Sequence, residues 1–188
     1  MVAGALDPRR LLFVDECGTH TSLAPSLAPL YGYSPKGERL RLSVPRNRGK
    51  NTTSLLASIT LEGMGPAMAV NGSTTAEVFE AYLEHVLLPE LEEGQVVVMD
   101  SLPAHKPGRV RELIEGGGCE LLYLPSYSPD YNPIEEAFSK IKDILRRACA
   151  RTREALVEAL GEALSAVSFR DAQGFFEHAG YHTIGQLL

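Results

Sequence analysis

The chain has 188 residues, 44% of them hydrophobic and 22% charged, a balance that suits one globular domain able to bury its own core. No apolar run approaches the roughly 18 residues of a membrane span. The start, Met1 to Asp7, lacks the basic and then apolar pattern of a signal peptide. Cys17, Cys119 and Cys149 are odd in number and form no CxxC, which argues for reduced thiols in a cytoplasmic protein rather than disulfides or a zinc site. The net charge of -6 speaks against a uniformly basic nucleic-acid binder, but a phosphate backbone needs only local positive surface.

Taken in chain order, Leu11-Leu12-Phe13-Val14 has the length and apolar character of a buried strand, ending at Asp15-Glu16. Gly18 to Lys50 is a long excursion rich in Pro, Gly and Arg, with one strand expected over Arg39 to Val44. Its second half holds six basic residues, Lys36, Arg39, Arg41, Arg46, Arg48 and Lys50, against the single acid Glu38. Thr52–Leu61 and Pro66–Val70 are expected to form a hairpin around Gly63-Met64-Gly65. The capping-box spacing of Thr74 and Glu77 predicts a helix from there to Pro89, over a stretch that carries six acids between Glu77 and Glu93.

Gln95–Met99 is the strongest strand signal and ends at Asp100. A short helix over Gly108–Glu115 and a strand over Cys119–Leu124 follow. A Pro-bounded loop then leads to Asn132, read as the cap of a helix whose first residue is Pro133. That helix begins a second basic group: Lys140, Lys142, Arg146, Arg147, Arg151 and Arg153. A last helix is expected from Arg153 to Val167, and one short helical turn in Phe175–Tyr181. The order of elements implies an α/β fold whose sheet has antiparallel and parallel parts.

Three acids have positions of interest. Asp15 and Asp100 each follow an apolar strand, and ligands commonly bind beyond the carboxyl ends of parallel strands. Glu135 sits in the first turn of the helix opened by Asn132-Pro133. Clustered carboxylates repel unless a cation compensates them. Mg²⁺ prefers such oxygens and keeps positions open for phosphate. Two such ions can serve both the attacking and the leaving oxygen of a phosphodiester. Each acid has a structural explanation too: a strand-terminal Asp often caps the next loop, and Glu is favoured at the third position of a helix by the capping box and the dipole.

The segments Phe13-Val14-Asp15-Glu16, Val97-Val98-Met99-Asp100 and Tyr127-Ser128-Pro129-Asp130-Tyr131-Asn132-Pro133-Ile134-Glu135 resemble the three catalytic blocks of the mariner-superfamily transposases, most closely their bacterial insertion-sequence branch. The 34 residues between Asp100 and Glu135 match the spacing of that family's Asp-Asp-Glu triad. The likeness covers nearly the whole chain. It implies an RNase H-like fold, with a central mixed five-stranded sheet flanked by helices, and Mg²⁺-dependent cleavage and transfer of DNA strands, with Mn²⁺ able to substitute. By the same resemblance Asp15, Asp100 and Glu135 are the catalytic metal ligands, with two ions per site. Glu136 is a rival for the third place. Glu16, beside Asp15, is expected on the opposite face of the sheet if the strand continues.

Ser101 departs from the Asn that often follows the second Asp, whereas His105 and Lys106 match the family's frequent His-Lys. His105 is expected either to contact DNA or position a carboxylate, or to be structural. Arg46, Arg48, Lys50, His105, Lys106 and Lys142 are the candidate DNA-binding residues. The resemblance implies DNA ends and target as partners, and a homodimer on DNA. Full-length relatives carry an N-terminal helix-turn-helix region. Here the first catalytic strand starts near Leu11, so DNA recognition is expected from a separate helix-turn-helix chain or from a larger parent protein. Two alternatives stay open: another RNase H-like nuclease, acting on branched DNA or RNA–DNA hybrids, and an inactive remnant that binds DNA or a partner chain.

Overall fold

The computed structural model describes residues 7–20, 36, 52–100, 107–125, 128–150 and 152–182. The expected strand Arg39–Val44 lies outside them. Five strands, β1 (Leu11–His20), β2 (Thr52–Thr60), β3 (Gly63–Asn71), β4 (Val96–Met99) and β5 (Glu120–Tyr123), form one sheet in the order β3-β2-β1-β4-β5. The β1–β2 and β2–β3 pairs are antiparallel, while β1–β4 and β4–β5 are parallel, so the mixed sheet expected from the sequence is present. The helices are α1 (Ala76–Tyr82), α2 (Pro107–Gly116), α3 (Pro133–Ala148), α4 (Arg153–Ser165) and α5 (Phe169–His178). Among the described residues no helix is long and apolar enough to cross a membrane.

Strand alternation divides the core into two layers. Leu11, Phe13, Cys17, Val96 and Val98 face α3, α4 and α5, meeting Ile134, Phe138, Ile141, Leu160 and Phe176. Leu12, Val14, Val97 and Met99 face the other way, under Phe79, Tyr82 and Leu83 and the α2 residues Val110 and Ile114. Because both faces are covered, β4 is apolar at every position rather than alternating. Burying a side chain such as Phe13 or Phe138 contributes about 2–3 kcal/mol. Phe13 also meets Phe176 edge-on, with ring centroids 5.3 Å apart, and Tyr181 at 5.1 Å.

Several boundaries differ from expectation, each for a local reason. β1 does not stop at Asp15-Glu16 but runs to His20, because its polar half pairs with β2 from Phe13 opposite Ile59 to His20 opposite Thr52. The hairpin turns at Leu61-Glu62, with Gly63 at a φ of 134° opening β3. Gly65 and Pro66 lie within β3, which as an edge strand tolerates both. A Cβ on Gly65 would meet Ser58 Oγ at 2.5 Å, so any larger residue there would force that hydroxyl to turn away. Thr75, not Thr74, caps α1 by accepting from the Val78 N–H. The helix then loosens into a π turn over Leu83–Leu87 and a 3-10 turn over Leu88–Glu90, where Pro89 has no N–H for a regular ladder. The expected single turn near Phe175 is instead the ten-residue α5, started by a capping box between Ser168 and Asp171.

Candidate active site

The parallel β1–β4 register sets Phe13 opposite Val98. Two positions further on, Asp15 and Asp100 come level, the first within β1 and the second just beyond β4. Alternation places both on the α3 side of the sheet, since Phe13, Cys17 and Val98 all belong to that layer. Asp15 thus lies in mid-strand, not at the strand end expected. Its neighbour Glu16 turns to the opposite face, as expected for a continuing strand, where one carboxylate oxygen is buried without a partner.

The third acid arrives on α3. A 3-10 turn over Pro129–Tyr131 leads into Asn132 and Pro133, and Ile134 anchors the first turn in the core. The Tyr131 carbonyl accepts a hydrogen bond from Tyr181 Oη at 2.9 Å, tying this entry to the residues after α5. Glu135 then stands exposed at the start of α3, directed toward the aspartates closely enough for its charge to act on Asp15.

Asp15 is only 8% exposed. One carboxylate oxygen accepts from the Glu16 N–H at 2.7 Å, and the other accepts from Asn132 Nδ2 at 2.8 Å. Burial pushes this carboxyl up to about 7, and the negative charges of Asp100 and Glu135 push in the same direction, while its two donors oppose the rise. Three carboxylates from three elements therefore share one electrostatic neighbourhood.

Glu136 behaves differently. Its Oε1 lies 2.5 Å from His178 Nδ1, an exposed pair that draws Glu136 toward α5 and raises the His178 pKa. Lys142, two turns along α3 from Glu135, is half-buried beside Cys17. Burial raises the Cys17 thiol, the Lys142 ammonium opposes that rise, and the charges of Glu135 and Asp15 add to it. Of the six candidate DNA-binding residues, Lys142 is placed beside Cys17, two residues along β1 from Asp15; Arg46, Arg48, Lys50, His105 and Lys106 lie outside the described residues.

The donor set fits a hard divalent cation: all the oxygens are carboxylate, and their mutual repulsion is what a cation relieves. Among the described residues no three His, Cys, Asp or Glu side chains are already grouped as a metal cage.

The residue that sequence reasoning misread is Asn132. It occupies the N-cap position of α3, but its side chain makes no capping hydrogen bond and reaches Asp15 instead. Spacing gave no sign of this, because 117 positions separate the two.

Comparison with known proteins follows the same outline. A family profile described as DDE superfamily endonuclease matches residues 10–157. The Tcb1 transposable-element transposase of Caenorhabditis briggsae is 32% identical over 87 residues, which is 44% of this chain and 32% of that protein. The Mos1 mariner paired-end complex with Mn superposes with a TM-score of 0.69 at 19% identity, covering 94% of this chain and 54% of that one. The catalytic domain of Mos1 mariner transposase superposes with a TM-score of 0.63 at 17% identity, covering 94% and 79%. The sheet and its flanking helices are thus those of the Mos1 catalytic domain, an RNase H-like fold. The chain spans about half of the Mos1 chain in the complex and about a third of Tcb1.

Proposed function

The chain belongs to the DDE superfamily endonuclease family, and from that premise we propose that it is the catalytic domain of a transposase that cuts and transfers DNA strands at the ends of a bacterial insertion sequence. The observation that carries the proposal is the meeting of Asp15 and Asp100 in the β1–β4 register, with the charge of Glu135 bearing on the same buried carboxyl. The Mos1 relatives include a paired-end complex with Mn, which supports DNA ends and a divalent cation as the partners of this fold. Asp15, Asp100 and Glu135 would hold Mg²⁺ or Mn²⁺, two ions per site. When bound, these ions supply the Lewis acidity that in-line phosphodiester displacement requires.

The protein's own residues contribute in three ways. Burial makes an uncompensated charge on Asp15 unfavourable, which favours a bound cation over an empty, ionised site. The Glu16 N–H and Asn132 Nδ2 each occupy one oxygen of Asp15 and fix the plane of the carboxylate. Lys142 places a positive charge beside Cys17, two residues along β1 from Asp15, available to a DNA phosphate. A homodimer on DNA completes the proposed assembly.

Nicking assays with Mg²⁺ or Mn²⁺ test this on a panel of terminal-repeat ends, branched junctions and RNA–DNA hybrids. Metal-dependent nicking of duplex ends, lost in Asp100→Asn, is the expected result. Equal nicking by wild type and Asp100→Asn would refute the site, and preference for junctions or hybrids would refute transposition in favour of another nuclease role.

A further inference from the structure

We propose that Asn132 is a positioning residue for the catalytic Asp15, and that holding this carboxylate, rather than capping α3, is what its side chain does. The inference rests on the reading of Asp15 as a metal ligand. Asn at a helix N-cap ordinarily accepts a hydrogen bond from a backbone N–H two or three residues on. Asn132 has the extended backbone of a cap, with φ -115° and ψ 92°, and its carbonyl accepts from the Glu135 N–H at 3.1 Å. Its side chain makes no capping bond.

Instead Nδ2 donates to Asp15 Oδ2 at 2.8 Å, in a pair that is buried on both sides. As a metal ligand the Asp15 carboxylate is ionised and can only accept, so Nδ2 is the atom that faces it. The amide oxygen is then buried without a hydrogen-bond partner, in a side chain only 6% exposed. A side chain placed merely for its own satisfaction would turn that oxygen toward the N–H groups of the first turn. Asn132 forgoes this and keeps the bond to Asp15, which points to the carboxylate as the object of the arrangement.

The position has a mechanical consequence. Asn132 lies three residues before Glu135 on the same rigid helix start. This hydrogen bond therefore holds one oxygen of Asp15 and ties the start of the helix that carries Glu135 to it. Partners that orient metal ligands in this way typically alter metal affinity about 10- to 100-fold when removed.

The test uses Asn132→Ser. Serine caps a helix as well as asparagine does, but it is too short to reach Asp15. Mn²⁺ binding is followed by isothermal titration calorimetry on protein shown to be folded by circular dichroism, with nicking assayed across a Mn²⁺ series. The expected result is a Mn²⁺ affinity about 10- to 100-fold weaker, with nicking restored at high Mn²⁺ and the KM for DNA unchanged. Wild-type Mn²⁺ affinity in Asn132→Ser would overturn the proposal, as would an activity loss that Mn²⁺ does not rescue. Should the serine variant not fold, Asn132→Thr, a bulkier capping residue with the same reach, takes its place under the same criteria. Asp15→Asn in parallel separates the two levels. If it too binds Mn²⁺ like wild type, the reading of the site has failed; if it alone loses Mn²⁺, only the role of Asn132 has failed.

Discussion

Replacing Asp15 with Asn should stabilise the metal-free protein at neutral pH while removing its metal-dependent activity. The Asp15 carboxyl is held at about 7 in the folded chain against an ordinary 3.8, chiefly by burial. The folded state therefore binds this proton more tightly than the unfolded state does. Its contribution to stability is full below about pH 4 and is lost as pH rises through about 7. At about 1.4 kcal/mol per unit the whole span is worth about 4 kcal/mol, and the part between pH 5 and pH 8 about 3 kcal/mol. Asn at position 15 has no charge to bury. Its oxygen can still accept from the Glu16 N–H, and its amide can donate to Asn132 Oδ1, the atom now buried without a partner, once that side chain flips.

Urea unfolding in EDTA at a series of pH values measures the effect. The stability of Asp15→Asn relative to wild type should rise by about 3 kcal/mol from pH 5 to pH 8, equivalent to a Tm difference of about 6–12 °C for a chain of this size. Titrating groups remote from Asp15 cancel in the comparison. Asp171, lowered to about 2 first by its bond to Lys140, gives stability that is lost only as pH falls below about 4. His178, raised by Glu136, gives stability that is present at low pH and lost as pH rises through its raised pKa, in both proteins alike. A stability difference that does not change with pH would refute the claim that Asp15 is buried as an uncompensated acid. Adding Mn²⁺ at pH 7.5 should then raise the Tm of wild type but not of Asp15→Asn.

The two adjacent glutamates should separate cleanly. Glu135→Gln is expected to lower nicking at least about 100-fold, as for a group acting directly on reacting charge. Glu136→Gln, which breaks only an exposed pair with His178, should retain near wild-type rates in the same assay. Lys142→Ala should weaken DNA binding equally across sequences and reduce the slope of log K against log salt by about 1, measured by fluorescence anisotropy over a NaCl series.

Much of the fold was legible because its strongest signals are local. Val96–Met99 is apolar throughout since both faces of β4 are covered. Pro133 fixes the start of α3, and Thr152 caps α4 by accepting from the Ala155 N–H. What escaped depends on distant partners. The second half of β1, Asp15 to His20, is too polar to read as a buried strand, and only its pairing with β2 makes it one. The start of α5 was legible in the spacing of Ser168 and Asp171, but the polar residues between Ser168 and Ala172 hid it. In the site, the identity of the acids followed from motif and spacing. Helical angles do not separate Glu135 from Glu136, and it is the 34-residue interval and the motif that favour Glu135; the contact of Glu136 with His178, brought in from α5, was not legible. The role of Asn132 was invisible for the same reason.

These distant contacts also bear on how a site of like charges is held together. Asp15, Asp100 and Glu135 come from three separate elements, and their repulsion favours moving the elements apart. The sheet register resists this between the two aspartates. Between sheet and helix the resistance comes from the α3 core face and from ties beyond residue 157, where the family match ends. Phe176 packs on Phe13, two residues before Asp15, and Tyr181 both stacks on Phe13 and bonds the carbonyl of Tyr131. Lys140 joins Asp171 at 2.6 Å along the same α3–α5 contact. α5 and Tyr181 beyond it therefore brace the carboxylates: Phe176 and Tyr181 grip the apolar neighbour of one, and Tyr181 the backbone leading to another. Apolar packing is insensitive to the charge state of the site, so such a brace can hold the acids in place both before and after a cation neutralises them.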